Sequence, residues 1–166
     1  MTQLTGTAGT TPLATGAFDG AMCNFVISHL KTRAEQLHIV RHVFESLRPG
    51  APFVVLVNNP STYGTRFASL QVGSPGERFT PGKLVRVQMF RFDTGAMYFE
   101  TRDRWWPTDH YTSLFEEAGF EAVRAEERRL EGEFETLLQH LGLDYHHFNV
   151  ECTAAPVLAV RGVKPS

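Results

Sequence analysis

The sequence predicts an α/β fold, with buried parallel strands covered by helices and an antiparallel hairpin inserted into the chain. Three observations carry this. Residues 21–27 (Ala-Met-Cys-Asn-Phe-Val-Ile) form an apolar run bounded by turn residues, the pattern of a strand buried on both faces. Residues 33–48 place Ala34, Leu37, Val40, Val43, Phe44 and Leu47 at intervals of three and four, which makes an amphipathic helix with one core-facing stripe. Phe53 to Val57 is a second apolar run. A buried strand, a crossover helix and another buried strand make a βαβ unit, and such units build parallel sheets.

Each element has a local reason. Residues 1–17 are rich in Thr, Gly and Ala and read as a loop, and the βαβ unit spans 18–57. Thr32 stands three residues before Glu35, so each side chain can reach the other's free backbone N–H in a capping box. Arg48-Pro49-Gly50 ends the helix, since proline cannot continue it and glycine accepts the left-handed turn that follows. Residues 58–106 form a loop and hairpin insert: 58–83 are rich in Asn, Pro, Ser, Gly and Thr, while 84–92 and 96–102 roughly alternate about Asp93-Thr94-Gly95. Residues 107–166 then read as helix, strand, helix, strand. Thr108 is expected to cap a helix carrying Tyr111, Leu114, Phe115 and Ala118, closed by Gly119. A charged strand runs from Phe120 to about Leu130, a short helix shows Phe134, Leu137, Leu138 and Leu141 on one stripe, and Pro156 to Val160 begins the last buried strand.

Composition removes several functions. Lys and Arg number 16 against 18 Asp and Glu, a net charge of −2, which argues against a nucleic-acid-binding surface. The longest apolar run, residues 53–57, is far below the roughly 18–20 residues of a membrane span. The start, MTQLTGTAGTTPL, lacks the basic region and apolar stretch of a signal peptide, and Cys23 and Cys152 have no disulfide or zinc spacing. A cytoplasmic protein with free thiols is the expectation. No GxGxxG, Walker loop, GxSxG, HExxH or CxxC motif occurs. His38 and His42, four apart, have no third ligand nearby and read as a solvated helix face, and His146-His147 beside Asp144 and Tyr145 is likewise read as surface, so no metal is expected. Trp105-Trp106 either walls a small-molecule pocket or packs the hairpin onto the helix that follows.

The order of the pieces carries more. Phe18-Asp19 at a strand entry, Leu47-Arg48-Pro49-Gly50 before the next strand and Glu117-Ala118-Gly119-Phe120 after a helix resemble, in order, landmarks of the class I S-adenosylmethionine-dependent methyltransferases. The resemblance implies a partial Rossmann-like sheet in the family's strand order 4-5-7-6. It covers nearly the whole chain but only the second half of the family domain. The first three strands and the glycine-rich cofactor loop have no counterpart, which implies a chain short of about 70–100 residues of the usual domain. Thr7-Ala8 stands where the family often has Asp-Ala.

Carried over, the resemblance places Thr7 and Ala8 by the adenine of S-adenosylmethionine, and Asn24 and Phe25 at the carboxyl end of the fourth strand, facing its methionine part. It implies methyl transfer to a small-molecule acceptor, with Tyr63, Trp105, Trp106 and Tyr111 as candidate walls of the acceptor pocket. The cofactor is already activated, so the protein aligns the reactants and excludes water. His29 and His110 are the side chains able to take a proton near neutral pH. Two other readings stay open: a non-catalytic module that pairs with itself or another chain through an exposed strand edge, and an unrelated α+β ligand-binding domain, which parallel pairing of 21–26 with 53–57 would exclude.

Overall fold

A computed structural model describes residues 13–130, 134–142 and 145–166. In chain order its elements are β1 (Ala21–Asn24), α1 (Arg33–Ser46), β2 (Pro52–Asn58), β3 (Leu70–Val72), β4 (Leu84–Phe90), β5 (Met97–Arg104), α2 (Thr108–Ala118), β6 (Glu121–Arg128), α3 (Phe134–His140), α4 (Asn149–Thr153) and β7 (Val157–Val163). A four-stranded sheet is ordered β1-β2-β7-β6, and a three-stranded sheet β3-β4-β5. β1 runs parallel to β2, from Ala21↔Phe53 to Asn24↔Leu56, whereas β7 is antiparallel to both β2 and β6. The order matches the expected 4-5-7-6, and the parallel pair excludes the α+β reading.

α1 begins as its sequence requires. The Glu35 N–H donates to Thr32 Oγ1 at 3.2 Å, and the Thr32 N–H donates to Glu35 Oε2 at 3.1 Å. Leu37, Val40 and Leu47 are buried, with Val43 and Phe44 packed beside them. Ala34 is exposed; at that turn Gln36 is the buried residue, its amide donating to the Ile27 carbonyl at 3.0 Å.

β1 is shorter and more exposed than its apolar run suggests. β2 is its only partner among the described residues, so Met22 is 64% exposed and the strand ends at Asn24. The chain then enters a 3₁₀ turn over Ile27–His29, and Ile27 is fully buried.

Around β2 the main core is aromatic. Phe53 stacks on Phe115 at 5.0 Å, and Phe120 meets Phe44 edge to face at 5.0 Å. Pro107, not Thr108, is the N-cap of α2, with no side-chain cap bond; its φ of −70° already suits a helix entry. Gly119, at φ +99°, closes the helix as expected.

The insert has one strand more than its sequence pattern suggests. β3 lies within the polar loop and pairs with β4, and Val72, Val85 and Val87 form a small second core with Tyr63, Phe79 and Trp105 packed against it. The leucines in and just after α3 divide: Leu138 is buried, while Leu137 and Leu141 are exposed. The additional helix α4 is anchored through buried Glu151, whose Oε1 accepts from the Ala68 N–H at 2.7 Å. Among the described residues no helix is long and apolar enough to cross a membrane.

Candidate functional site

Parallel strands in open α/β sheets bind ligands beyond their carboxyl ends, and β1 ends at an unusual residue. The Phe25 N–H still donates to the Leu56 carbonyl at 2.8 Å, yet its φ is +52°. For an aromatic residue this left-handed conformation costs about 1–3 kcal/mol. Here it breaks the strand direction and leaves Phe25 on the wall of a cleft, 41% exposed. Four residues on, His29 reaches the same cleft. Between them Ser28 is buried, and its Oγ has no hydrogen-bond partner among the described residues.

The opposite wall is the three-stranded sheet. The cleft encloses ≈ 320 Å³, with Leu70, Val87 and Met89 as its apolar lining and Thr101, Asp103 and Asn58 as polar lining. Alternation along β5 sends Thr101 and Asp103 to one face of the sheet. Asp103 is 2% exposed. Its Oδ2 accepts from the Asn58 amide at 3.2 Å and its Oδ1 from the Arg104 N–H at 2.7 Å, while His29 Nδ1 stands 3.8 Å from Oδ1. The carboxylate acts on its surroundings. Burial first, then Asp103, raises the pKa of Tyr63 and Tyr111 above the ordinary phenol value, so both phenols keep their protons.

The residues singled out from the sequence fall into separate groups. Thr7 and Ala8 lie outside the described residues. Phe25 and His29 share the cleft; Asn24 is exposed at the strand end beside them. His110 lies instead between α1 and α2, its ring stacked on Trp106 at 4.2 Å and its Nε2 2.5 Å from Gln36 Oε1. Since the Gln36 amide nitrogen is used on Ile27, its oxygen is the acceptor and His110 Nε2 carries the hydrogen. Burial, with Arg33 adding to it, lowers the His110 pKa to about 4. Trp106 and Tyr111 belong to the main core. Tyr63 and Trp105 flank Phe79, at 5.4 and 6.2 Å between ring centroids. Of the two roles weighed for the tryptophan pair, packing is the one in view.

Asp103 and Asn58 were not among the sequence candidates. Asp103 stands in a run of charged residues, Glu100-Thr101-Arg102-Asp103-Arg104, that reads as solvated hairpin, and only the docking of the insert buries it. His38 and His42 have ring centroids 6.5 Å apart, and among the described residues no group of three His, Cys, Asp or Glu could hold a metal ion.

No protein-family model matches the chain. Over 107 residues it is 31% identical to the N-demethylindolmycin N-methyltransferase of Streptomyces griseus, a match covering 64% of this chain and 44% of that protein. The chain thus spans less than half the length of this relative. In structure it resembles a putative S-adenosylmethionine-dependent methyltransferase of Listeria monocytogenes, with a TM-score of 0.62 at 12% identity over 96% of this chain and 67% of the other. A second such methyltransferase, from Mesorhizobium loti, aligns with a TM-score of 0.57 at 16% identity over 95% and 67%. At these identities the structural likeness establishes a shared fold.

Proposed function

We propose that the chain is part of a class I S-adenosylmethionine-dependent methyltransferase, whose fold it shares, and that it serves methyl transfer to a small-molecule acceptor held in the cleft between β1 and the three-stranded sheet. The observation that carries this reading is the position of the cleft. It opens at the carboxyl end of the parallel pair, where the strained Phe25 and the His29 turn both face it. The relative's own name, an N-methyltransferase of a small molecule, supports the same reaction class.

The local residues fit one side of a cofactor: an exposed Asn24 amide at the strand end and the Phe25 ring on the cleft wall. Asn24 and Phe25 would hold its methionine part, and Thr7 and Ala8 would lie by the adenine. S-adenosylmethionine, when bound, supplies a methyl group already activated on a sulfonium. The chain's own work is then to align the acceptor, exclude water and receive a proton. His29, with Nδ1 turned to Asp103, keeps Nε2 for the acceptor's proton. His110 positions it: its Nε2–H holds Gln36, and Gln36 holds the Ile27 carbonyl of the turn that bears His29. Tyr63, Trp105, Trp106 and Tyr111 support the walls from behind. A cytoplasmic setting belongs to this reading.

Calorimetric titration with S-adenosylhomocysteine tests the reading, on the chain alone and on the chain fused behind the amino-terminal part of the Streptomyces relative. Expected is binding in the fusion at least, weakened about tenfold or more by Asn24→Ala with Phe25→Ala, the scale of a lost charge-assisted contact plus packing. Absence of binding in both proteins overturns it.

A second reading, pairing through a strand edge, is favoured by the outer side of β1, which is unpaired among the described residues.

A further inference from the structure

The cleft has an unbalanced charge. Asp103 is nearly fully buried, yet among the described residues no Lys or Arg lies within ion-pair distance of it; the nearest basic atom is His29 Nδ1 at 3.8 Å. Neutral donors, the Asn58 amide and the Arg104 N–H, occupy part of the roughly four acceptor sites of the carboxylate. A buried carboxylate without a cation is costly, and a cationic donor offsets that cost where a hydroxyl or a second anion does not. Phe25, Leu70, Val87 and Met89 supply the apolar part of the remaining lining, beside His29, Ser69 and Thr101, and ≈ 320 Å³ suits a small ring with a short side chain.

We propose that Asp103 selects the acceptor: the cleft takes a small amine in its ammonium form, which donates to the Asp103 carboxylate while its apolar body lies against Phe25, Val87 and Met89, and which gives one proton to His29 Nε2 so that the nitrogen lone pair is free before it accepts a methyl group. This rests on the reading of the cleft as the acceptor site and adds the class of acceptor. The pocket disfavours carboxylates and phosphates by repulsion and neutral alcohols by leaving the carboxylate unpaired.

The test uses binding rather than turnover. The chain is titrated, with NMR detection, with 2-phenylethylamine at neutral pH, where it is an ammonium, and with 2-phenylethanol, its uncharged analogue. The expected result is a preference of about tenfold or more for the amine, the worth of a hydrogen bond to a charged group. Asp103→Asn abolishes the preference. Equal affinity for the two probes, binding of neither, or a preference that survives in Asp103→Asn overturns the proposal. Should Asp103→Asn lose its cooperative melt, the wild-type chain decides through intermolecular contacts. Ligand protons next to the nitrogen are expected near Thr101, and ring protons near Val87 and Met89; contacts elsewhere overturn the proposal. Cofactor titration separates the two inferences. Amine selectivity without cofactor binding in the chain or the fusion leaves Asp103 as a selector and removes methyl transfer. Cofactor binding with equal affinity for amine and alcohol does the reverse.

Discussion

Burial first, then the Arg33 charge, lowers the His110 pKa from 6.5 to about 4, with Asp109 opposing. The folded protein therefore binds this proton less readily than the unfolded chain does. Stability from the neutral ring is fully present above pH 6.5 and is lost as the pH falls from 6.5 towards 4, with a limiting slope of about 1.4 kcal/mol per pH unit. His110→Phe keeps a ring against Trp106 but removes the donor to Gln36, at a cost of about 1–3 kcal/mol near pH 7.5. Urea denaturation across pH 4–7.5 is expected to show the wild type losing its advantage over the variant on acidification; parallel curves would contradict a neutral His110. The same residue shows what one-dimensional reading misses. Histidine at the start of a helix suggests acid–base chemistry, but its partners, Gln36 and Trp106, come from a helix 74 positions away and from the loop beside it. Asp103 is the converse case. Its neighbours in sequence are charged, and its side-chain partner, Asn58, lies 45 positions earlier.

Among the elements, those set by a repeating pattern were legible. α1 follows from its apolar spacing and capping box, β2 and β7 from their apolar runs, and β4 with β5 from alternation around a turn. Elements below pattern length were not. β3 has three residues and α4 five, too few for a period to register. Packing between elements was equally hidden, and Gly162 on β7 is the clearest instance. A Cβ built there would stand 2.8 Å from Phe115 Cδ1 and 2.8 Å from Phe120 Cβ, so the absent side chain is what lets α2 and the start of β6 close on the sheet. Gly162→Ala is expected to destabilise the fold by about 1–3 kcal/mol through overpacking. Gly20→Ala is the control: its added Cβ meets Pro52 at 3.6 Å, ordinary contact distance, and the loss of chain entropy in the unfolded state leaves it neutral or slightly stabilised. Matched denaturation curves check both, and equal midpoints for the two variants would remove the packing argument.

The molecule as a whole joins two sheets of different character, and its landmarks in sequence order disclosed the first sheet's topology while leaving the cleft between the sheets unseen. The larger sheet is asymmetric. On one side β6, carrying Glu121, Arg124, Glu126, Glu127 and Arg128, presents a charged edge that discourages further pairing. On the other side β1 has its outer backbone unpaired among the described residues, with Met22 64%, Val26 46% and Phe25 41% exposed around it. Unpaired N–H and C=O groups beside apolar side chains form a template for another strand. The chain is therefore expected to self-associate at micromolar concentration, with light scattering giving a mass above that of the monomer. Met22→Lys places a charge on that edge without touching the main core and should shift the distribution towards monomer. The fusion that binds S-adenosylhomocysteine should also be more monomeric than the chain alone, if cofactor binding and edge covering come from the same added strands. A monodisperse monomer with a sharp cooperative melt, unchanged by Met22→Lys, would show that the edge is already covered within the chain and would leave pairing without support.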